Sequence, residues 1–72
     1  MEIRICLPAD LDEVVNDPRI SFKAKGIFAL AYEIDKVKPV SIDDILRFTK
    51  EGKRCIETGL QELVKYSYIS LH

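Results

Sequence analysis

Residues 41–66 read SIDDILRFTKEGKRCIETGLQELVKY, and this stretch predicts the fold of the chain. It opens with a serine, whose hydroxyl can cap a short helix over 42–48 by accepting a backbone hydrogen bond. Asp44 stands three positions later, a spacing that resembles a capping box. A polar turn over 49–52 leads into a longer helix, predicted over 51–66. A short helix, a tight turn and a long amphipathic helix together make a helix-turn-helix.

The longer helix has two faces, which a rotation of 100° per residue separates. The apolar face is expected to pack against the core, and it comprises Ile56, Gly59, Leu60, Leu63, Val64 and Ser67. The opposite face is polar, with Lys53 at its border, and it comprises Lys50, Arg54, Glu57, Thr58, Gln61 and Lys65. One side of this helix should therefore be buried, while the other faces solvent or a partner.

An earlier helix is predicted over 22–35, with Ser21 as its N-cap. Its apolar side chains recur every three or four residues, and they are Ala24, Ile27, Phe28, Ala31 and Ile34. Gly26 lies inside this helix at a cost of roughly 1 kcal/mol against alanine. Either close packing against another helix explains this glycine, or it is simply tolerated. A brief helical turn, capped by Asp10 and running through Val15, precedes it.

Alternating residues near both ends of the sequence predict two short strands, over 3–7 and 68–72. One face of the first strand carries Ile3, Ile5 and Leu7. Because an isolated strand is unstable in water, we expect the two strands to pair in a small sheet. Residues 38–40 are expected to form only a connector. The sheet edges would then stay open, which favours a homodimer through the terminal strands.

Length and composition fit one globular domain over 1–72, mostly α-helical with a small β element. The chain is 47% hydrophobic and 32% charged, as is usual for soluble proteins. No apolar run approaches the roughly 20 residues that a membrane-spanning helix needs. Pro8 and Asp10 also interrupt the layout of a signal peptide. We therefore expect a cytoplasmic protein without a membrane partner.

Charge is unevenly distributed along the sequence. Residues 1–46 carry six Lys or Arg and nine Asp or Glu, whereas 47–72 carry five and three. Within 47–54 only Glu51 opposes the cations, which are Arg47, Lys50, Lys53 and Arg54. A local basic cluster on an acidic body can be a nucleic-acid footprint. An ordinary solvated surface would carry the same charges, so this alternative stays open.

The residue types that catalysis requires are sparse. The only histidine is His72, and no glycine-rich loop could cradle a phosphate. Asp43 and Asp44 are adjacent carboxylates, but they stand at a helix N-terminus, where negative charge offsets the helix dipole. Cys6 and Cys55 are expected to be free thiols. We therefore expect no enzyme, cofactor, metal site or small-molecule substrate.

The chain from Ile5 to Tyr68 resembles the N-terminal winged-helix domain of phage, plasmid and DnaD-like replication proteins of bacteria. The matching pieces are DPRIS at 17–21, KAKG at 23–26, TKEGK at 49–53, LQEL at 60–63 and YSYI at 66–69. They resemble a family pattern of Leu-Ser-x-Lys-Ala-Lys-Gly, then a Thr-x-x-Gly-Arg turn, then Leu-x-x-x-Gly-Tyr.

The sequence departs from this pattern at three places. Lys53 stands where the family usually has arginine. Ser67 stands where it usually has glycine, so we expect the helix to end without a left-handed residue. A family member would continue past Ile69 into a wing hairpin, so the wing is expected to be absent or to belong to a longer protein.

The resemblance implies a winged helix-turn-helix of three helices with short terminal strands and a truncated wing, bound to double-stranded DNA. The recognition helix over 51–66 would enter the major groove. Base contacts are expected from Arg54, Thr58 and Gln61, because arginine and glutamine can bond guanine and adenine through two atoms. Phosphate contacts are expected from Arg47, Lys50, Lys53 and Lys65.

Two biological roles fit this DNA-binding hypothesis, replication initiation and transcription regulation. Lys23 and Lys25 could add contacts to the DNA backbone. The tyrosines, which are Tyr32, Tyr66 and Tyr68, are expected at the edge of the core and not as stacking platforms for bases. The alternative function is a protein–protein interaction module, used for dimerisation or assembly without DNA binding.

Overall fold

In the computed structural model, which describes residues 1–72, four helices pack beside a three-stranded antiparallel sheet. About half of the chain is helical. The elements in chain order are β1 (Glu2–Ile5), α1 (Leu11–Val15), α2 (Phe22–Asp35), β2 (Val40–Ser41), α3 (Ile42–Arg47), α4 (Lys53–Lys65) and β3 (Ile69–Leu71).

The predicted helix caps are present. The Ser21 hydroxyl accepts a hydrogen bond from the Ala24 amide at 3.2 Å, and α2 has the predicted bounds. At the start of α3 the Asp44 amide donates to the Ser41 hydroxyl at 3.2 Å, while the Ser41 amide donates to the Asp44 carboxylate at 2.9 Å. This is a complete capping box. Helix α3 ends one residue earlier than predicted, because Phe48 is its C-cap.

Helix α4 begins at Lys53, two residues later than predicted. The Glu51 amide donates to the Thr49 hydroxyl oxygen at 3.0 Å, and the Thr49 hydroxyl donates to the Glu51 carboxylate. Such local side-chain bonds compete with helical hydrogen bonding and favour a turn. Gly52 therefore becomes the N-cap, and Lys50 lies in the turn and not on the helix.

The end of α4 differs from the prediction. Ser67 adopts the left-handed conformation, with φ of 64°, although it is not glycine. Its amide donates to the Val64 carbonyl at 3.0 Å, and the Tyr68 amide donates to the Leu63 carbonyl at 2.9 Å. These two bonds form a Schellman motif, which satisfies the last helical carbonyls. The serine therefore performs the role that glycine usually has, at a conformational cost.

The sheet has the order β2–β1–β3. The predicted pairing of the two terminal strands is confirmed, with Ile3 opposite Leu71 and Ile5 opposite Ile69. The prediction that 38–40 form only a connector is wrong, because Val40 lies opposite Ile3 in a second antiparallel pair. Extended backbone at Ser41 serves both the N-cap of α3 and this ladder. Strand β1 is thus covered on both edges, while β2 and β3 each keep one open edge.

The first strand is shifted from its predicted position. It covers Glu2–Ile5, because the chain turns after Cys6, whose carbonyl accepts from the Ala9 amide at 2.9 Å. Leu7 was expected on the buried face beside Ile3, but 87% of its surface is exposed. Strand β3 is also shorter than predicted and covers Ile69–Leu71.

The core lies between the helices and one face of the sheet. Its fully buried large side chains are Phe28, Ile3, Ile45, Leu60, Leu63, Ile69, Val14 and Val40. Two residues predicted on the buried face of α4 are instead exposed, Val64 and Ser67. Val64 lies on the side of the helix that borders solvent, and Ser67 lies beyond the helix end.

Close packing of α2 against α4 depends on Gly59, not on Gly26. A methyl group at Gly59 would overlap the Cδ1 atom of Ile27, so glycine lets the two helices approach. Gly26 has open space where its Cβ would be, and it is exposed. The expectation that close packing explains Gly26 is therefore wrong. None of the helices has the length and apolar character required to cross a membrane.

Candidate nucleic-acid interface

The exposed face of α4 carries four of the predicted contact residues. On a helix with 100° per residue they fall within about 60° of one another, and they are Arg54, Thr58, Gln61 and Lys65. All four side chains are exposed. They follow one another over about 16 Å of helix length. The opposite side of α4 is packed into the core through Ile56, Leu60 and Leu63, which fixes the direction of the exposed face.

Two further cations lie at the start of this helix. Lys53 is the first helical residue, and Lys50 lies in the preceding turn. Both are exposed. The structure does not bring Arg47 to the same face. It lies in the last turn of α3 and lines a cavity together with Val37 and Asp44, between α2 and α3.

The cations of this face are free of intramolecular ion pairs. The ion pairs of the chain are Arg4–Glu2, Arg19–Asp17, Lys36–Glu33 and Lys38–Asp44. None includes a predicted contact residue, so the charges of Lys50, Lys53, Arg54 and Lys65 remain available to a ligand. Glu57 is exposed on the same side of α4 and would repel a phosphate.

Two polar residues of the face have additional contacts. The Thr58 hydroxyl donates to the Arg54 carbonyl at 2.9 Å. Its proton is therefore engaged, and its oxygen can act only as an acceptor toward a ligand. Gln61 borders a cavity of about 290 Å³ between α4 and the sheet, which Leu60 and Leu71 also line.

The orientation of α4 relative to α2 is fixed by a carboxylate. Glu62 accepts hydrogen bonds from both the amide and the hydroxyl of Ser21, at 2.5 and 2.9 Å. Ser21 is the N-cap of α2, so α4 contributes to the capping of its neighbour. Sequence patterns gave no signal for this contact, because the two residues are 41 positions apart.

A partly buried ionic cluster joins the residues that follow α4 to the segment before α2. Asp17 accepts two side-chain hydrogen bonds from Arg19, at 3.0 and 2.8 Å, and one from the Tyr68 hydroxyl at 2.6 Å. Arg19 first, and then Tyr68, hold the pKa of the Asp17 carboxyl well below its usual range. The Arg19 guanidinium also lies 4.4 Å from the centre of the Tyr66 ring.

Tyr32 and Tyr66 are half-buried at the edge of the core, as predicted, whereas Tyr68 belongs to the core itself. Tyr68 is buried, and its ring meets that of Phe28 edge-on at 6.2 Å between centroids. Tyr32 is half-buried and packs on the other side of Phe28 at 5.9 Å. Neither ring is free to stack on a nucleotide base.

The sequence patterns also missed two exposed aromatic residues. Phe22 is 95% exposed and Phe48 is 68% exposed. The exposure of Phe22 could have been predicted from helical periodicity, because Phe22 lies about 180° from the centre of the buried stripe of α2. Phe48 follows the last turn of a six-residue helix, where periodicity carries little information.

The geometry of the site must support a function on its own, because neither a family model, nor a curated protein, nor a solved structure matches this chain.

Proposed function

We propose that the chain binds double-stranded DNA through the exposed face of α4, as a helix-turn-helix domain of the winged-helix type. The observation that carries this proposal is the exposed row formed by Arg54, Thr58, Gln61 and Lys65. It lies on a helix that is anchored by its opposite face, and none of its cations is in an intramolecular ion pair. The arrangement of α3, a tight turn and α4 has the form in which the second helix enters a major groove.

The residues of this face divide into two roles. Arg54 is near the start of α4, where side chains reach base edges, and Gln61 follows two turns later. Their side chains can make paired hydrogen bonds to guanine and adenine. Lys50, Lys53 and Lys65 flank them and suit contacts with phosphates, which position the helix without reading sequence. Arg47 is left outside this set by its place between α2 and α3.

The proposed interface consists of α4 and the turn that precedes it. The central position is occupied by β1, and no two sequential strands are joined by a hairpin. Contacts from a wing are therefore not part of the proposal. With three lysines on phosphates, dissociation constants around 10⁻⁴–10⁻⁶ M are expected for non-specific binding at physiological salt.

The resemblance to replication-protein domains supports the same proposal and suggests the cellular processes in which the chain would bind DNA. A domain of this kind would act on DNA in the cytoplasm, either in replication initiation or in transcription regulation. Because contacts with phosphates do not depend on base sequence, the first test uses DNA of mixed sequence.

The experiment compares a triple variant, Lys50→Ala, Lys53→Ala and Arg54→Ala, with the wild-type chain. Fluorescence anisotropy of a labelled duplex of about 20 base pairs measures the affinity. The variant should bind at least tenfold more weakly. Lys36→Ala is the matched control, because Lys36 is an exposed cation beyond the C-terminal end of α2, and it should bind as the wild type does. Equal affinity for all three proteins, or no binding by any of them, would overturn the proposal.

A further inference from the structure

A groove runs along α2, between this helix on one side and α3 with the following turn on the other. It consists of two cavities of about 360 and 420 Å³. Both are lined by Phe48, so they adjoin at this residue. Ile27, Leu30 and Ile45 line the first cavity, which gives it an apolar surface.

Large apolar side chains are exposed along the whole length of this groove. Phe22 lines one end and exposes 95% of its surface, Phe48 lies between the two cavities at 68%, and Val37 lines the other end at 86%. Large apolar side chains exposed along one groove, with charged groups around them, are typical of a protein interaction site. Aromatic side chains in particular are the usual anchors of such sites.

The dimensions of the groove suit a helical ligand. Phe22 is the first residue of α2 and Val37 lies just beyond its end. A helix of this length spans about 21 Å. A partner helix of about four turns would match this span, with apolar residues at three- and four-residue intervals meeting the three exposed side chains.

The charges around the groove favour an acidic ligand. Lys23 and Arg47 line it, and neither has a carboxylate partner within the chain. Two of the carboxylates in the lining are already paired, Glu33 with Lys36 and Asp44 with Lys38. Glu51 is the remaining carboxylate of the lining. The unpaired charge is therefore net positive, which complements acidic residues on a partner.

The groove is separate from the face of α4 proposed to contact DNA. Cys55 and Ile56 are the residues of α4 that line the groove, and they lie about 100° and 160° around the helix from Arg54. A phosphate backbone would gain nothing from Phe22 or Val37, because apolar side chains offer it no hydrogen bond or charge. The two surfaces can therefore be occupied at the same time.

We propose that this groove binds an amphipathic helix of a partner protein, apolar on the face that enters the groove and acidic along its flanks.

The test selects binders from a displayed library of random peptides of about 15 residues, the length that fills the groove. Enriched peptides are labelled, and their affinities are measured by fluorescence anisotropy with wild-type protein and with the double variant Phe22→Ser, Phe48→Ser. Both phenylalanines are exposed, so the variant should fold, which circular dichroism checks. Leu7→Ser is the matched control, since Leu7 is 87% exposed in the connection between β1 and α1.

The proposal expects enriched peptides with apolar residues at helical spacing and a net negative charge. The double variant should bind them at least tenfold more weakly, Lys23→Glu should also weaken them, and Leu7→Ser should not. DNA affinity of the double variant should equal that of the wild type.

The proposal is overturned if no peptide is enriched, if the enriched peptides are not acidic, or if they bind the double variant equally well. It is also overturned if the double variant loses DNA binding, which would make the groove part of the DNA interface, or if wild-type protein only binds itself through these residues.

Discussion

Ser67 is the residue at which the backbone is most clearly strained. It is the only residue other than glycine with positive φ, a conformation that costs an L-residue roughly 1–2 kcal/mol. Replacing Ser67 by glycine removes this cost, but part of the gain in stability is offset because glycine has more conformational freedom in the unfolded chain. Ser67→Gly should therefore raise the free energy of unfolding by about 0.5–1 kcal/mol, measured by urea denaturation.

Ser70→Gly is the control for this substitution. Ser70 lies in β3, opposite Arg4, with ordinary extended backbone. Glycine there should lower stability, because it weakens a strand without relieving strain. If both glycine variants were destabilised, the left-handed conformation of Ser67 would not be a source of strain.

Asp17 gives the stability of the chain a defined dependence on pH. Its pKa in the folded state is held below the value of about 4 that an unfolded aspartate has. The stabilisation from its ionised form is thus complete above about pH 5 and is lost as the pH falls toward the folded pKa. Asp44 acts in the same direction, since Lys38 and the Ser41 amide lower its pKa to about 2.

Asp17→Asn tests this dependence. The variant should melt at a lower temperature than the wild type at pH 7, because Arg19 and Tyr68 lose a charged acceptor. The difference between the two melting temperatures should shrink as the pH falls from about 5 toward 2. Thermal denaturation followed by circular dichroism measures both. A difference that stays constant over this range would show that the charge of Asp17 does not contribute.

Contacts between residues that are close in the sequence could be predicted, whereas contacts between distant residues could not. The caps at Ser21 and Ser41 were predicted correctly, because both depend on atoms three positions away. The bond from Tyr68 to Asp17 spans 51 positions, and it depends on how the elements pack.

Among the elements, α2 and α4 offer a matched pair of glycines. Gly26 is exposed with open space around it, whereas Gly59 is buried against Ile27. Gly26→Ala should stabilise the chain by about 1 kcal/mol, because alanine is the better helix former. Gly59→Ala has the same gain in helix propensity but must displace the Ile27 side chain.

We expect Gly59→Ala to be less stable than Gly26→Ala by about 1–3 kcal/mol, the usual cost of overpacking. Chemical denaturation of the two variants gives this difference directly. Equal stability would mean that α2 and α4 do not pack as closely as the structure shows.

Element prediction succeeded where periodicity extends over several turns. Helix α2 has the predicted bounds, and α4 differs from its prediction by two residues at the start and one at the end. Strand β2 escaped prediction because two residues carry no period. The side of α4 that faces outward was also predictable, because its apolar and charged residues separate cleanly, but the open side of α2 that forms the groove was not.

At the scale of the whole molecule, β1 is the central strand of the sheet and pairs with β3, which lies near the other end of the chain. Ile3 is 1% exposed and pairs with both neighbouring strands. Ile3→Ala should lower the free energy of unfolding by about 2–5 kcal/mol, the usual cost of a large cavity. Leu7→Ala is the control, since Leu7 is 87% exposed, and it should change stability by no more than about 0.5 kcal/mol. Comparable losses in both variants would contradict the register of β1.

The outer edges of β2 and β3 are open, so a homodimer that pairs through these strands remains a prediction. Unpaired strand edges can pair with another chain. Both strands are short, which limits the number of hydrogen bonds such a pairing could gain. Sedimentation at high and low protein concentration measures it, and a monomer at every concentration would contradict the expectation.

The central claim is that the cations of α4 and its turn bind the phosphates of DNA. The measurement that tests it most directly is the affinity for a labelled duplex at several salt concentrations between about 50 and 200 mM. If Lys50, Lys53 and Lys65 each neutralise one phosphate, the logarithm of the binding constant should fall with the logarithm of salt at a slope of about −3. The triple variant, which keeps only Lys65 of these three lysines, should have a slope near −1. A slope near zero for the wild type, or no binding at the lowest salt, would contradict the claim.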